Sequence, residues 1–283
     1  MQPALPDSAG CAQRTCRSAR SGPLIAKERG YPGVPPLQQA HVRLGIVDER
    51  PERYAGASSV FGPPDRWPER DLIGMSEQLT PELAIAGYRS GVFPMPQHGF
   101  RGRDLIGWYS PLDRGILPLA GLRVSRSLRK MIKRYTITVD TAFDQVIRRC
   151  GDPRRPGGWI DDQILAVYTR LHEVGLVHSV EARIDDGRLA GGLYGVSIGG
   201  LFAGESMFHD PQIGRDASKA ALVALVDILG PDDQERLLDV QWLTPHLATL
   251  GVIEIERDEY LRRLSEALEL PEPDFEAWRQ SAM

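Results

Sequence analysis

The chain has 283 residues, of which 42% are hydrophobic and 25% charged, and its formal net charge is −4 at pH 7. This composition is typical of an ordinary soluble protein with a substantial core, and it argues against a wholly basic nucleic-acid binder. No apolar run approaches the ~18 residues of a membrane span, and the N-terminus lacks the apolar stretch of a signal peptide. Three cysteines, two of them in the first 16 residues, indicate no disulfide framework and favour a cytoplasmic protein.

The first 57 residues are rich in Pro, Gly, Ser, Gln and Arg and show no hydrophobic periodicity. Such a segment buries too little apolar surface to offset the entropy lost on ordering, so residues 1–57 are predicted to be a flexible extension. Residues 58–111 follow as a small N-terminal domain. Within it, Thr80 and Pro81 predict the start of a helix, Gly91 predicts its end, and Pro94 and Pro96 prevent its continuation.

Residues 112–270 form the larger predicted domain, in which a helical period gives way to a strand period. Apolar residues at helical spacing predict a helix capped by Ser125, and two further helices are predicted at 140–150 and 161–174. Alternation then predicts strands at 179–184, 189–196 and 201–208, with a hairpin turn at Asp186 and Gly187. A buried helix at 216–229, strands at 237–242 and 252–255, and a polar tail at 271–283 complete an α+β fold with a mixed sheet.

The segment from Arg123 to Arg155 is strongly basic, with ten Lys and Arg against three Asp and hence a net charge of +7. Half of these cations belong to the helix predicted after Ser125, namely Arg126, Arg129, Lys130, Lys133 and Arg134. Clustered cations bind phosphate because binding releases condensed counterions, but the same pattern also occurs on solvated helix faces. From charge alone, both interpretations stay open.

Two carboxylates lie inside predicted apolar strands, Glu205 in 201–208 and Asp239 in 237–242. Because burying a carboxylate is costly unless it is paired, each is either hydrogen-bonded for structure, turned to solvent by its strand position, or functional. The sequence contains no Cys-x-x-Cys, no His-Glu-x-x-His and no phosphate-binding glycine loop that opens a helix. No metal site and no nucleotide cofactor are therefore predicted.

Ten short motifs occur in the order in which they occur in one known family. They are YRSGVFP at 88–94, SRSLRK at 125–130, GWI at 158–160, LHEVG at 171–175, HSVE at 178–181, GGLYGV at 191–196, GESMF at 204–208, ASK at 217–219, DVQ at 239–241 and LG at 250–251. This ordered set closely resembles the bacterial leucyl/phenylalanyl-tRNA–protein transferases. One tetrapeptide is weak evidence, whereas ten motifs in order are highly specific.

The resemblance implies a small N-terminal domain followed by a catalytic domain with the N-acetyltransferase-type (GNAT) fold. It implies that Leu or Phe, with Met as a further candidate, is transferred from aminoacyl-tRNA to an acceptor protein whose N-terminal residue is Arg or Lys. The reaction is aminolysis of the aminoacyl ester, and the acceptor then enters N-end-rule protein degradation. The implied partners are charged tRNA and the acceptor protein, with no membrane and no metal, nucleotide or CoA cofactor.

The motifs also imply roles for individual residues. In the family's D-x-Q element the carboxylate and amide assist loss of a proton from the attacking amine, which assigns catalysis to Asp239 and Gln241. Such help is needed because an α-amine has a pKa of about 7.7–8.0 and is partly protonated at neutral pH. The Glu of GESMF holds the cationic end of the acceptor, which assigns substrate binding to Glu205 beside Ser206 and Met207.

Aromatic residues and the basic helix are implied to hold the tRNA. Trp159 matches the tryptophan that stacks near the terminal adenosine, and Phe93 and Trp108 match aromatic positions of the same substrate site. Met95 and Tyr109 stand where the family usually has tryptophan. The five cations named above are the implied phosphate contacts.

Two rival functions stay open at the level of sequence. A CoA-dependent N-acetyltransferase presents backbone amides to a pyrophosphate through a glycine-containing loop before a helix, and residues 212–217 match that loop only loosely. A non-catalytic tRNA-binding protein would need the basic helix alone. The D-x-Q and GESMF elements argue against that second rival, because a pure binder needs no buried proton relay.

Overall fold

The computed structural model describes residues 60–100, 103–155, 158–230 and 236–281. The predicted flexible extension at 1–57 lies outside these residues. The chain forms a mixed α/β structure with a small three-stranded sheet near the N-terminus and a large seven-stranded mixed sheet. In the described ranges, no helix combines the length and the apolar character needed to cross a membrane.

The small sheet contains β1 (Leu72–Ser76), β3 (Arg103–Tyr109) and β2 (Phe93–Phe100), in that spatial order and antiparallel. Helix α1 (Pro81–Arg89) begins as predicted, with the Thr80 hydroxyl accepting a hydrogen bond from the Leu83 amide at 3.2 Å. The helix ends before Gly91, whose φ of +80° reverses the chain into β2. Because β2 is an edge strand, it accommodates Pro94 and Pro96, which cannot donate to a neighbouring strand.

The large sheet has the order β10-β4-β9-β8-β7-β6-β5. Its strands are β4 (Asp113–Ile116), β5 (Thr136–Val139), β6 (Val177–Arg183), β7 (Leu189–Ile198), β8 (Leu201–His209), β9 (Leu237–Gln241) and β10 (Ile253–Glu256). Neighbouring strands are antiparallel except β8 and β9, which pair in parallel over only three residues each, Leu201–Ala203 with Leu237–Asp239. Beyond Ala203, β8 continues to His209 while β9 ends at Gln241, so the sheet opens between the two strands.

Helices cover both faces of the large sheet. Helices α3 (Phe143–Cys150) and α4 (Asp162–Glu173) pack with α1 on one face, and α2 (Arg126–Ile132) and α5 (Ala217–Leu229) pack on the other. The predicted cap of α2 is confirmed, because the Ser125 hydroxyl accepts from the Leu128 amide at 3.1 Å. The short helix α6 (Pro245–Thr249) follows β9.

The C-terminal region is more structured than its polar sequence suggested. Helices α7 (Arg257–Leu268) and α8 (Phe275–Ser281) form where no helix was predicted, and α8 lies within the predicted polar tail. Both bury apolar residues, with Tyr260 and Leu264 in the main core and Phe275 stacked on His178 at 3.9 Å between ring centres. Burial of these few large side chains orders a segment that is otherwise polar.

The small sheet and the large sheet share one hydrophobic cluster. Tyr88 of α1 and Trp108 of β3 belong to the same cluster as Tyr168 of α4 and Tyr194 of β7. This packing brings the hydroxyl of Tyr88 across to the large sheet, where it contributes to the site described next.

Candidate active site

A β-bulge sets the position of Glu205. Gly204 pairs with Gly195 and Ser206 pairs with Tyr194, so Glu205 is the extra residue of β8 at this point. Bulges redirect side chains and are frequent beside functional sites. The bulge turns the Glu205 carboxylate toward α1 and α4, at the place where β8 separates from β9.

Three donors surround the Glu205 carboxylate. The Tyr88 hydroxyl donates to Oε1 at 2.7 Å, the Tyr168 hydroxyl donates to Oε2 at 3.3 Å, and Gln241 Nε2 donates to Oε1 at 3.3 Å. The two tyrosine hydroxyls also contact each other. Burial raises the pKa of Glu205 to about 8; the Tyr88 hydrogen bond opposes this shift and the charge of Asp239 adds to it.

Asp239 is fully buried and accepts four hydrogen bonds. Arg114 donates from Nε to Oδ1 at 2.9 Å and from Nη2 to Oδ2 at 2.6 Å, which makes a bidentate ion pair. The Tyr260 hydroxyl donates to Oδ2 and the backbone N–H of Gln241 donates to Oδ1, both at 2.9 Å. With both oxygens engaged and no exposed surface, Asp239 does not face the opening between β8 and β9.

Arg114 itself is held on every side. Its guanidinium lies between the rings of Phe93 and Tyr260, at 4.7 and 4.3 Å from their centres, and its Nη1 donates to the Gly91 carbonyl at 3.2 Å. Burial opposes its charge, but attraction to Asp239 outweighs burial and raises the pKa of Arg114 above its usual value. The pair therefore connects β4, β9, α7 and the small N-terminal unit.

Gln241 connects the two carboxylates. It lies opposite Gly115 while Asp239 lies opposite Ile116, so Val240 is an extra residue of β9. Gln241 has a φ of +60°, a left-handed conformation that is uncommon for residues other than glycine. The hydrogen bond from its backbone N–H to Asp239 holds this conformation and aims its side chain at Glu205. A carboxylate and a neutral amide thus meet at the opening, where they can bind a cation and accept hydrogen bonds from an amine.

Other residues expected from the sequence are placed around this centre rather than in it. Ser206 hydrogen-bonds with Cys150, and burial raises the pKa of that thiol to about 11, so it is not a thiolate nucleophile. Met207 packs on the opposite face, against the cluster that contains α5. A regular strand would place Glu205 and Met207 on one face, and the bulge at Glu205 explains why they lie on different faces.

The expected aromatic residues differ in exposure. Phe93 is buried, with its ring against Arg114 and 4.8 Å from the ring of Trp242. Trp108 has no exposed surface, and its indole nitrogen donates to the Ser76 hydroxyl at 2.9 Å. Trp159 is half-buried against the main core just before α4. Of these three aromatic residues, only Phe93 contacts the Arg114–Asp239 ion pair, through the Arg114 guanidinium.

The basic residues of the second helix lie elsewhere on the surface. All five are exposed, and none of their side chains makes a hydrogen bond or ion pair with another residue of the described ranges: Arg126, Arg129, Lys130, Lys133 and Arg134. The helix ends at Ile132, so Lys133 and Arg134 follow it. In the described part of the chain, no group of His, Cys, Asp and Glu is arranged to hold a metal ion.

Sequence reasoning missed Arg114, Tyr168 and Tyr260. Tyr88 belongs to the motif YRSGVFP at 88–94, but the motif implied no role for it. A buried Asp requires a cationic or hydrogen-bonding partner, which was the available signal for Arg114. Its position could not be inferred, because Arg114 and Asp239 are 125 residues apart in the chain.

Known proteins resemble the chain over most of the described residues. The family model of the leucyl/phenylalanyl-tRNA protein transferase matches residues 116–265, and that of its N-terminal domain matches residues 77–112. The leucyl/phenylalanyl-tRNA–protein transferase of Herpetosiphon aurantiacus is 46% identical over 198 residues, which is 69% of this chain and 97% of the relative. That of Dinoroseobacter shibae is 46% identical over 193 residues, which is 68% and 82% of the two chains.

Among solved structures, L-PGS from Bacillus licheniformis aligns with a TM-score of 0.32 and 12% identity, over 62% of this chain and 57% of that one. The sequence matches are far stronger and define the class of protein as an aminoacyltransferase. The chain belongs to the leucyl/phenylalanyl-tRNA–protein transferase family.

The buried ion pair yields a prediction about stability. Arg114→Met leaves the Asp239 carboxylate buried without its cation, which is expected to lower the free energy of unfolding by about 3–5 kcal/mol. Combining it with Asp239→Asn should recover part of the loss, because the uncompensated charge is gone. Urea unfolding measures both, with Arg262→Met on the exposed face of α7 as control. Equal, small losses for the buried and exposed variants would contradict the role given to the pair.

Proposed function

We propose that the protein transfers Leu or Phe from aminoacyl-tRNA to the N-terminal Arg or Lys of acceptor proteins, and so marks them for N-end-rule degradation in the cytoplasm. The observation that carries the proposal is the meeting of the Glu205 carboxylate and the Gln241 amide, 3.3 Å apart, where β8 separates from β9. Membership of a family whose relatives bear this activity in their name supports it.

The reaction is aminolysis of an ester that is already activated. The acceptor's α-nitrogen attacks the carbonyl carbon, a carbon–nitrogen bond forms, and the carbon–oxygen bond to the tRNA ribose breaks. The nitrogen also loses a proton, and the departing ribose oxygen gains one to become a hydroxyl. Gln241 Nε2 donates to Glu205, which leaves the amide oxygen of Gln241 to accept a hydrogen bond from the attacking amine. Gln241 is therefore the proposed catalytic contact.

Asp239 is proposed to act through Gln241 rather than on the amine itself. Its two oxygens accept hydrogen bonds from Arg114, from Tyr260 and from the backbone N–H of Gln241. Asp239 therefore holds Gln241 in its left-handed conformation. In this arrangement Asp239 and Arg114 are positioning residues. Positioning matters because a catalytic group misplaced by about 1 Å can lose 10²-fold in rate.

Glu205 is the proposed site for the acceptor's cationic side chain. A carboxylate surrounded by hydroxyl and amide donors can exchange one of them for a guanidinium or ammonium, which forms a stronger, charge-assisted hydrogen bond. Ser206 and Met207 would border this site on the two faces of β8. The preference for Arg or Lys over neutral N-terminal residues follows from the charge of Glu205.

The donor tRNA is proposed to bind through its phosphates and its terminal base. The five unpaired cations of α2 and its C-terminal end supply the phosphate contacts, and Trp159 supplies a stacking surface for the adenosine, worth about 1–3 kcal/mol. Phe93 and Trp108 contribute by packing beneath the site rather than by direct contact.

We also propose that the large sheet has a GNAT-like arrangement, with residues 58–111 as a separate small domain. The parallel β8–β9 pair that separates after three residues, with α5 following β8, supports this view. The rival CoA-dependent acetyltransferase shares that arrangement but has no use for the exposed cations of α2.

A direct assay tests the function. Purified protein incubated with radiolabelled leucyl-tRNA should label an acceptor whose N-terminal residue is Arg or Lys, and should leave the matched acceptor with N-terminal Ala unlabelled. Labelled acetyl-CoA offered to the same acceptors is expected to give no product. Acetylation without leucyl transfer would replace the proposed function by the rival one, and tRNA binding with neither reaction would favour a non-catalytic binder.

The raised pKa of Glu205 predicts a pH dependence. Below a pKa of about 8 the free carboxyl loses its charge, and this effect alone should lower the kcat/KM for an Arg acceptor by about tenfold per pH unit well below that value. Titration of the acceptor's α-amine also lowers the rate, and Glu205→Gln serves as the control because it retains only that second effect. The ratio of wild-type to Glu205→Gln kcat/KM should therefore rise with pH and level off above 8. A ratio independent of pH would remove Glu205 from acceptor binding.

A further inference from the structure

A second concave region lies at the N-terminus of α5, between the end of β8 and α6. It has a volume of about 550 Å³ and is lined by His209, Gln212, Arg215, Ser218, Lys219 and His246, with Asp216 at its edge. We call it the α5 pocket. In the sequence, residues 212–217 match a pyrophosphate-binding loop only loosely, and no residue of the pocket belongs to the site around Glu205.

The first turn of α5 presents donors to this pocket. Asp216, at the N-cap position with φ of +60°, makes no side-chain cap and instead accepts from Lys219 Nζ at 2.7 Å. The backbone amides of Ser218 and Lys219 have no acceptor among the described residues. Free amides and the positive end of a 13-residue helix favour an anion at this point.

Ser218 gives an independent sign of a ligand. Its side chain lines the pocket and is only 6% exposed, yet its hydroxyl has no hydrogen-bond partner in the part of the chain that the structure describes. The hydroxyl is not fully enclosed, so it opens onto the pocket and is free to donate to a ligand there. An oxygen of a bound anion would accept hydrogen bonds from this hydroxyl and from the backbone amides of Ser218 and Lys219.

The charges around the pocket are mostly positive. Arg215 is exposed and its guanidinium has no partner in the described ranges, and Lys219 lies one helical turn away. Burial, followed by the charges of Lys219 and His209, lowers the pKa of His246. Asp216 offsets one of these charges. The pocket therefore suits a phosphate better than a neutral or cationic ligand.

The pocket lies between the two regions proposed to contact the donor. His209 is four residues beyond Glu205, or about 13 Å along an extended strand. On the other side, Tyr135 follows the basic end of α2 and its hydroxyl donates to the Arg215 carbonyl at 2.6 Å. The basic end of α2 is thus joined to the α5 pocket through Tyr135, and β8 connects the pocket to the opening beside Glu205.

We propose that the α5 pocket binds a backbone phosphate of the donor tRNA, close to its aminoacylated 3′ end. The proposal rests on the transfer function proposed above and assigns to it a contact that holds the 3′ strand between the basic helix and the reactive ester. The backbone amides and the Ser218 hydroxyl of the first turn donate hydrogen bonds to the phosphate oxygens. Arg215 and Lys219 neutralise the charge of the phosphate.

Two donors that share the reactive leucyl-adenosine ester, one with and one without the phosphates of the tRNA, test this proposal. Leucyl-tRNA carries the proposed ligand, whereas leucyl-adenosine carries the same ester without any phosphate. Arg215→Ala and Lys219→Ala should each raise the KM for leucyl-tRNA by about tenfold and reduce its salt dependence by roughly one unit, while kcat/KM for leucyl-adenosine changes less than about twofold. Arg262→Ala on α7 is the control for the loss of one surface charge, and melting temperatures verify folding.

Equal losses with both donors, or no loss with leucyl-tRNA, would overturn the proposal. Competition by CoA or inorganic pyrophosphate that disappears in Arg215→Ala, together with unchanged tRNA binding, would assign the pocket to a free nucleotide and overturn it as well. A direct measurement keeps the test separate from catalysis. Fluorescence anisotropy of a short RNA ending in CCA should show weaker binding and a smaller salt slope in Arg215→Ala, even if wild-type protein transfers no leucine.

Discussion

The buried ion pair between Arg114 and Asp239 is the interaction on which the site depends. Removing two charges from water costs several kcal/mol per ion, and only excellent geometry with further hydrogen bonds offsets that cost. Here the pair is bidentate, Tyr260 donates to the carboxylate, and the Gly91 carbonyl accepts from the guanidinium. The pair connects four parts of the fold, so the end of β9 and the side chain of Gln241 are fixed relative to Glu205.

Two irregular strands complete the geometry. A regular β8 would place Glu205 and Met207 on one face, and a regular β9 would do the same for Asp239 and Gln241. Instead a bulge turns Glu205 away from Met207, and the extra residue Val240 with the left-handed Gln241 ends β9 beside it. Local strain at Gln241 persists because the hydrogen bond from its backbone N–H to Asp239 compensates for it.

These features also separate what the sequence could predict from what it could not. Helix caps at Thr80 and Ser125 and the strands that carry the two carboxylates followed from local patterns and are confirmed. The extra residue Val240 and the left-handed Gln241 could not be predicted, because strand alternation assumes a strand without bulges. The partners of Asp239 come from distant parts of the chain, and a single sequence gives no signal of which distant residues meet. Helices α7 and α8 were missed for a related reason, since a few long-range contacts order them.

The central claim is that Asp239 assists transfer by holding Gln241, and a double-mutant cycle on the single-turnover rate tests it most directly. Gln241→Ala should slow leucine transfer to an Arg acceptor by about 10²–10⁴-fold, with tRNA affinity little changed. Asp239→Asn should also slow it, and the double variant should be no slower than Gln241→Ala alone, because both changes remove one contact. Rate losses that multiply in the double variant, or a wild-type rate for Asp239→Asn, would contradict this account.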